Sequence, residues 1–269
     1  MEEIKILWTG GWDSTFRVIE LSRKNVVIQP IYVLDSGRKS TDYELKAIDK
    51  IIQDLNKRDE TKAKINAIKI IKKEDIPENK EITDAYKIIN ARTRLGSQHD
   101  WLARLAVEYK GIEIGTEAGT PDTSHIIQAI DEFGKLVIED GIGYLDKEKS
   151  SNEGRLVLGN FRYPIIEKTE KQMLNIIKEK KYEEIMKHIW FCHSPINGKP
   201  CGICHPCCVK IESGMEFLLP QEAIKRYRKS KKLEKIFGES VANRIILLFI
   251  RLKKKVDKVI KGWEVKKQY

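Results

Sequence analysis

The sequence lacks any apolar stretch approaching the roughly 20 residues that a membrane-spanning helix needs. Its longest apolar run, Ile245–Ile250, is six residues long and is bracketed by Arg244 and Arg251. The first residues, Met1-Glu2-Glu3, are acidic, where a secretory leader would be basic. No membrane partner is expected, and the cytoplasm is the expected compartment. Cysteine is scarce: five in 269 residues, all of them between Cys192 and Cys208. In a reducing compartment, thiols crowded in this way bind metal more readily than they form disulfides. No internal repeat or low-complexity linker is visible.

What is present is a soluble, globular composition, 41% hydrophobic and 33% charged. A chain of this length buries one good-sized core and leaves room for an appendage. The net charge of +10 is unevenly placed. Residues 221–269 hold 16 Lys and Arg against 5 Asp and Glu, while the other 220 residues hold 34 against 35. The basic character therefore belongs to the tail and not to the body.

The body is organised around Thr9-Gly10-Gly11-Trp12-Asp13-Ser14-Thr15. The apolar run Ile4-Lys5-Ile6-Leu7-Trp8 before it reads as a strand. Phe16 to Leu21 after it reads as a helix with an apolar face. Strand, glycine pair, hydroxyl-rich turn and helix make a cradle for phosphate. Glycines let backbone N–H groups approach an anion closely, and the helix start adds unpaired N–H groups and a positive dipole end. The spacing is neither G-x-x-x-x-G-K-[ST] nor G-x-G-x-x-G. An ordinary Gly-Gly turn capped by Asp13 or Ser14 is the plainer alternative.

Further along, Val26–Leu34 is nearly all apolar, as suits a parallel strand buried on both faces. Asp35–Arg38 turns the chain, and residues 41–55 follow as a helix with Leu45, Ile48, Ile51, Ile52 and Leu55 on one side. Residues 63–71 read as a third strand, 82–95 and 99–109 as helices, and 111–116 as a short strand leading into a Gly-rich loop. Thr169 with Gln172 fits a capping box ahead of a helix at 171–181, and a further helix is expected over 183–189. The alternation predicts an α/β fold with a doubly wound, Rossmann-like parallel sheet. Ligands bind beyond the carboxyl ends of such strands, so residues 9–15, 35–38 and 116–123 should share one rim.

The second signal is Cys192-x8-Cys201-x2-Cys204-x2-Cys207. Four thiolates suit a closed, tetrahedral structural Zn2+ site, and Gly198, Pro200, Gly202 and Pro206 suit its tight turns. An iron–sulfur cluster also uses four cysteines and stays open. Cys208 reads as a small buried hydrophobe. His193 and His205 read as loop residues.

The first turn resembles the S-G-G-x-D-S signature of the PP-loop ATP pyrophosphatases, with Thr9 in place of the first Ser. The turn and the cysteine spacing together resemble the 7-cyano-7-deazaguanine synthase family of queuosine biosynthesis, over roughly residues 4–214. Asp35-Ser36-Gly37-Arg38 with Glu44-Leu45 is similar to that family's D-Y-G-Q-R-H…E-L. Gly119-Thr120-Pro121-Asp122 is similar to S-G-Y-P-D-C, and Pro164-Ile165-Ile166…Thr169 to P-L-I-x-x-T-K. Cys201-Gly202-x-Cys204-x-x-Cys207 is similar to C-G-x-C-x-x-C. The resemblance implies a PP-loop domain over residues 1–191 and a zinc-binding segment over 192–214; it leaves the tail uncovered, and charge and periodicity there predict a basic helical extension over 215–269. The resemblance also implies an AMP-forming carbon–nitrogen ligase that uses ATP and Mg2+, and a homodimer is expected. The acid would be a 7-carboxy-7-deazaguanine. Ammonia would convert the adenylate to an amide, and a second adenylation would give the nitrile.

Residue by residue, the resemblance assigns phosphate binding to Thr9, Gly10, Gly11, Asp13, Ser14, Thr15 and Arg38. Ser14 leads there, and Asp13 either shares that task or braces the loop. Asp122 is a candidate for the paired donors of a guanine-like edge, or else the N-cap of a helix over residues 123–130. Glu117 is a second candidate for that edge. Arg92 and Arg94 stand near the family's P-A-R-N position, either touching ATP or carboxylate or lying on a solvated helix face. The catalytic set is thus Asp13, Ser14 and Asp122, and the metal set Cys192, Cys201, Cys204 and Cys207. The substrate loop lacks the family's Tyr and Cys, and Glu170 replaces the Lys of T-K. That departure and the basic tail motivate a second reading, in which the acyl group passes to an amine on a partner protein, as in anti-phage defence relatives. A third reading is a PP-loop enzyme acting on tRNA, and a fourth a non-catalytic zinc-stabilised module. In the tail, Val241, Ile245, Leu248, Leu252, Val256, Val259 and Trp263 fall at helical spacing. The opposite face, with Lys253, Lys254, Lys255 and Lys258, is either solvated or a docking surface for protein or nucleic acid.

Overall fold

The computed structural model describes residues 1–238 and Leu248. Apart from Leu248, the long tail helix expected over residues 241–263, with its basic face, lies outside the described residues. The chain divides into two compact units, Met1–Trp190 and Phe191–Tyr269.

In the first unit, β1 (Glu2–Leu7) leads through the glycine turn into α1 (Trp12–Ser22) and then β2 (Val26–Leu34) and α2 (Thr41–Leu55). Two short strands follow, β3 (Lys64–Ile65) and β4 (Lys69–Lys72), then α3 (Lys80–Thr93), α4 (Gln98–Glu108) and β5 (Ile112–Glu113). The remainder is α5 (His125–Phe133), β6 (Leu136–Glu139), β7 (Ile142–Leu145), α6 (Asn152–Val157), β8 (Phe161–Arg162), α7 (Glu170–Glu179) and α8 (Glu183–Met186). The main sheet runs β3-β2-β1-β5-β8, with β4 also paired to β2, and every pairing in it is parallel. The expected doubly wound α/β fold is therefore present. Strand order reverses at β1, which pairs with β2 on one side and β5 on the other. A crevice opens at such a switch point, beyond the carboxyl ends of the strands.

The third strand expected over residues 63–71 is split in two, and Pro30 explains the split. Alternate residues of β2 point their backbone groups toward the same neighbour. The Ile28 carbonyl accepts from the Asn66 N–H at 2.9 Å on the β3 side, so Pro30 faces that side too. Proline has no N–H to donate, and the ladder breaks between the Ile28–Ile65 and Ile31–Lys69 pairs. Gln29 patches the gap: its Nε2 donates to the carbonyls of Pro30 (3.0 Å) and Ala67 (3.1 Å).

One apolar cluster joins Ile31 and Val33 of β2 to Ile82, Tyr86 and Ile89 of α3, Leu102 and Leu105 of α4, and Ile130 and Phe133 of α5. Phe16 and Val18 of α1, and Ile48 and Ile51 of α2, are buried outside that cluster. The expected bounds of α2 match the structure, and Thr169 and Gln172 form the full capping box at α7. The helix expected over residues 82–95 ends at Thr93, because Arg94 takes a left-handed conformation, φ 55°. The second helix of the pair is short, Glu183–Met186. An antiparallel hairpin, β6–β7, turns on Asp140 and Gly141, both with positive φ, as a two-residue hairpin turn requires.

In the second unit, α9 (His205–Glu212) and α10 (Gln221–Phe237) follow the cysteine segment. Asn197 and Gly198, both left-handed, make a tight turn closed by an Ile196–Lys199 bridge. Gly202 (φ +79°) lies so close to α10 that a Cβ there would fall 2.1 Å from the Ala223 carbonyl oxygen. Arg226 of α10 donates to the Cys201 and Pro200 carbonyls at 2.7 and 3.2 Å. No described helix is long and apolar enough to cross a membrane.

Candidate functional site

A cavity of about 420 Å³ lies at the switch point of the sheet. Leu7 to Ser14 line it from β1 and α1, with Ile31, Val33 and Arg38 from the β2 end. Ile114 to Glu117 close it from the β5 end. Three helices begin at this cavity: Trp12, Asp13 and Ser14 of α1, Gln98 and His99 of α4, and Ser124 and Ile126 at α5 all line it. No side chain caps any of the three helix starts. Helix starts carry positive partial charge and donors that the helix itself cannot use. Three of them around one cavity favour a strongly anionic ligand.

The Thr9–Thr15 turn is held from behind. Gly10 has φ +70°, and a Cβ there would sit 3.1 Å from the Glu44 carbonyl oxygen. The Gly10 carbonyl accepts from the Trp190 N–H at 2.8 Å, and Trp190 stacks on Tyr43 with ring centroids 4.2 Å apart. Gly115, at the end of β5, matters equally. A Cβ there would lie 3.0 Å from both the Asp13 Cβ and the Ser14 backbone nitrogen. A side chain there would push this segment and the start of α1 apart by a few tenths of an ångström. Beneath the turn, the Thr15 hydroxyl accepts from the Trp8 indole at 2.9 Å and is buried.

Arg38 is aimed by a buried carboxylate. Glu44 is 3% exposed and pairs with Arg38 at 3.0 Å. It also accepts from the hydroxyls of Tyr32 (2.8 Å) and Ser40 (2.7 Å). Burial, and then the hydrogen bond to the Glu44 carboxylate, push the Tyr32 hydroxyl up to about 12, so it stays a donor. His99, at the start of α4, lines the cavity and is buried, and burial holds its imidazole down to about 4. Its Nδ1 has no hydrogen-bond partner among the described residues.

Of the residues singled out in the sequence, the structure gathers Thr9, Gly11, Asp13, Ser14, Arg38 and Glu117 around the cavity. Gly10 and Thr15 support the turn from outside its lining. Arg92 pairs with Glu132 at 2.9 Å and lies over the Phe133 ring, joining α3 to α5. Arg94 is the exposed C-cap of α3. Neither lines the cavity. Asp122 is exposed in a turn closed by Thr120 and Thr123 hydroxyls, and the Thr120 hydrogen bond lowers its carboxyl below the usual range. Ser124, not Asp122, is the N-cap of the following helix, which runs from His125 to Phe133. The sequence reading misses Gly115, Gln98 and His99. Gly115 stands in the strand-to-loop sequence Ile114-Gly115-Thr116, where a lone glycine signals close backbone approach. His99 carries no comparable signal.

In the second unit, the sulfurs of Cys192, Cys201, Cys204 and Cys207 all lie within 4.8 Å of one another. Cys201 with Cys207, and Cys204 with Cys192, are 3.9 Å apart. Backbone N–H groups point at the sulfurs: Cys201 to Cys192 Sγ at 3.2 Å, and Ile203 and Cys204 to Cys201 Sγ at 3.4 and 3.2 Å. Hydrogen bonding from Cys192 lowers the Cys201 thiol to about 7, while hydrogen bonding with Cys192, Cys201 and Cys204 pushes Cys207 up. Four sulfurs with a shared set of N–H donors can hold a metal ion. Cys208 is half-buried and outside the group.

No protein-family model matches the chain, and no curated protein matches it. Among solved structures, it is similar to the U34-tRNA thiolase NcsA from Methanococcus maripaludis with its [4Fe-4S] cluster. The likeness covers 93% of this chain and 73% of that one, at 13% identity and a TM-score of 0.38. The fold and site define an α/β protein with an anion-favouring cavity at its switch point in the first unit and a four-cysteine centre in the second.

Proposed function

We propose that this protein is an ATP-dependent, AMP-forming ligase of the PP-loop type. The acid is 7-carboxy-7-deazaguanine, and the activated acyl group passes to a nitrogen nucleophile, with ammonia leading to the amide and then the nitrile. The observation that carries the reading is the uncapped start of α1, pressed against Gly115 and opening into a cavity that two further helix starts share.

In this reading the backbone of Gly11 to Ser14 and the Ser14 hydroxyl hold the β and γ phosphates of Mg-ATP. Arg38, fixed by Glu44, neutralises charge at the mouth. A carboxylate oxygen attacks the α phosphorus, and the bond to the bridging oxygen breaks. Pyrophosphate leaves with the electron pair into the field of α1. AMP is then the leaving group when nitrogen attacks the acyl carbon. The chain's contribution is position and electrostatics.

For the cysteine centre we favour a single Zn2+. Four sulfurs about 2.3 Å from a central zinc stand roughly 3.8 Å apart; here all four lie within 4.8 Å of one another, with two of the pairs at 3.9 Å. A four-iron cube places its irons between the thiolates and spreads them further. Zinc here would stabilise the fold of its segment and supply no reacting group.

The test is to incubate the protein with Mg-ATP and 7-carboxy-7-deazaguanine, with and without ammonia, and follow small-molecule and protein masses. Two AMP per nitrile supports the full reading. AMP without nitrile keeps the activation step and moves the acceptor to an amine elsewhere, such as one on a partner protein. No AMP with this acid overturns the substrate assignment and puts the tRNA reading first.

A further inference from the structure

The phosphate-binding reading uses α1, Ser14 and Arg38. It leaves the start of α4 unassigned, although Gln98, His99, Trp101 and Leu102 line the same cavity from that side. The helix is eleven residues long and has no side-chain cap. Some of its first amides are already engaged: the His99 N–H donates to the Gly96 carbonyl at 3.0 Å, and the Asp100 N–H to that of Ser97 at 3.4 Å. What this end offers a ligand is its dipole, the exposed Gln98 amide and the His99 ring.

His99 is the telling group. Its side chain is only 7% exposed, yet it forms part of the cavity wall. Its Nδ1 is buried without a partner. An N–H buried without an acceptor is rarer and costlier than an unused lone pair. The proton of the neutral ring is therefore assigned to Nε2, and that uncharged N–H is the donor His99 has to offer the cavity it lines. A phosphate chain already met by α1 and Arg38 gains little from such a donor. A carboxylate about to attack phosphorus gains more. Its oxygen loses negative charge as the new bond forms, and a full cation beside it would stabilise the ground state above the transition state. A neutral donor fixes the oxygen without that penalty.

We propose that the start of α4, with His99 as donor and Gln98 beside it, is the subsite for the carboxylate of the acid substrate, distinct from the phosphate subsite at α1. This rests on the ligase reading above. His99 binds and orients the attacking oxygen and takes no proton during the step. The bond made is carboxylate oxygen to α phosphorus, and the bond broken is α phosphorus to the bridging oxygen.

The experiment is calorimetric binding of ATP and of 7-carboxy-7-deazaguanine, each alone, to the full chain and to His99→Phe, His99→Gln and Gln98→Ala. His99→Phe is expected to lose about tenfold or more in affinity for the acid, the worth of one hydrogen bond to a charged group. Its ATP affinity should hold, which also reports that the variant is folded. His99→Gln places an amide N–H where Nε2–H stands and should recover most of the loss. Gln98→Ala, at an exposed position, should weaken the acid a few-fold and leave ATP alone. Equal losses for ATP and acid in His99→Phe would give α4 to the nucleotide and overturn the proposal. So would unchanged acid affinity in His99→Phe. A wild-type chain that binds ATP but not this acid defeats the substrate assignment and this subsite with it. A wild-type chain that binds both, with all variants alike, defeats the subsite alone.

Discussion

The cavity and the cysteine centre are built in opposite ways. The cysteine centre draws its ligands from one short stretch, Cys192 to Cys207, and turns them inward on one another. The cavity draws its lining from Leu7 to Ile126, out of three strand ends and three helix starts. A local site depends on its own loop. A distributed site depends on everything that brings its parts together. Removing metal is the strongest test of the first half of that contrast. Structural zinc in small modules contributes roughly 10–16 kcal/mol of apparent folding free energy. A chelator, or Cys204→Ser with loss of bound metal, should abolish hydrogen-exchange protection in α9 and α10. Protection in residues 1–190 should persist. Equal loss in both units would break the comparison.

For the distributed site the matching test lies outside the lining. Arg17 of α1 and Glu113 of β5 form a buried, two-pronged pair at 2.8 and 2.7 Å. Both side chains are at most 5% exposed. The pair joins the two elements that flank the switch point. Arg17→Ala leaves a buried carboxylate without its charge partner, which costs about 3–5 kcal/mol. Urea unfolding should show that loss. Arg17→Met together with Glu113→Gln removes both charges and should recover much of it. A loss below about 1 kcal/mol in the single variant would mean that water reaches Glu113.

The same contrast explains what was legible in the sequence. All four cysteines can be read from spacing alone, because their neighbours in space are their neighbours in the chain. So can α2, the capping box at Thr169 and Gln172, and the parallel sheet, since each rests on local periodicity. The turn at residues 9–15 and Arg38 are readable because each sits at the end of a recognisable strand. Arg92 and Arg94 match the second of their two readings, an exposed helix face: α3 turns Arg92 toward Glu132 and Phe133, and Arg94 is the exposed C-cap. His99 and Gly115 escape because their meaning comes from partners far off in the chain. The split between β3 and β4 escapes for the same reason: Pro30 disturbs the strand beside it, not its own. The β6–β7 hairpin is a different case. Asp140-Gly141 is a strong local signal that the strand–helix alternation draws attention away from.

The buried imidazole gives a pH test of how dry the distributed site is. An unfolded histidine titrates near 6.5 and folded His99 near about 4. Above pH 6.5 both states are neutral and the group contributes nothing. As pH falls from 6.5, the unfolded chain takes up the proton first, so stability drops by up to about 1.4 kcal/mol per pH unit. The drop ends near pH 4, for a total of about 3 kcal/mol. His99→Gln should lack this component. The difference between the two stability curves should be flat above pH 6.5 and slope below it. A flat difference down to pH 4 would mean that His99 is solvated in the folded state.

The smallest effect expected on stability is also the most local probe of the cavity. Gly115 and Gly202 both permit a close approach, one in each unit. At Gly202, a Cβ would meet the Ala223 carbonyl oxygen at 2.1 Å, on a backbone with φ +79°. At Gly115, it would meet Asp13 Cβ and Ser14 N at 3.0 Å, and its φ is not in the left-handed region. Gly115→Ala therefore forces a shift of a few tenths of an ångström without backbone strain, at about 1–3 kcal/mol. That shift falls on the amide of Ser14. ATP affinity should fall more than stability suggests, by about tenfold or more, because backbone donors at a helix start act only when aimed. Affinity for the acid, measured alone, should change little if that ligand sits at α4. A Gly115→Ala chain that binds ATP normally would show that the start of α1 is a turn like any other.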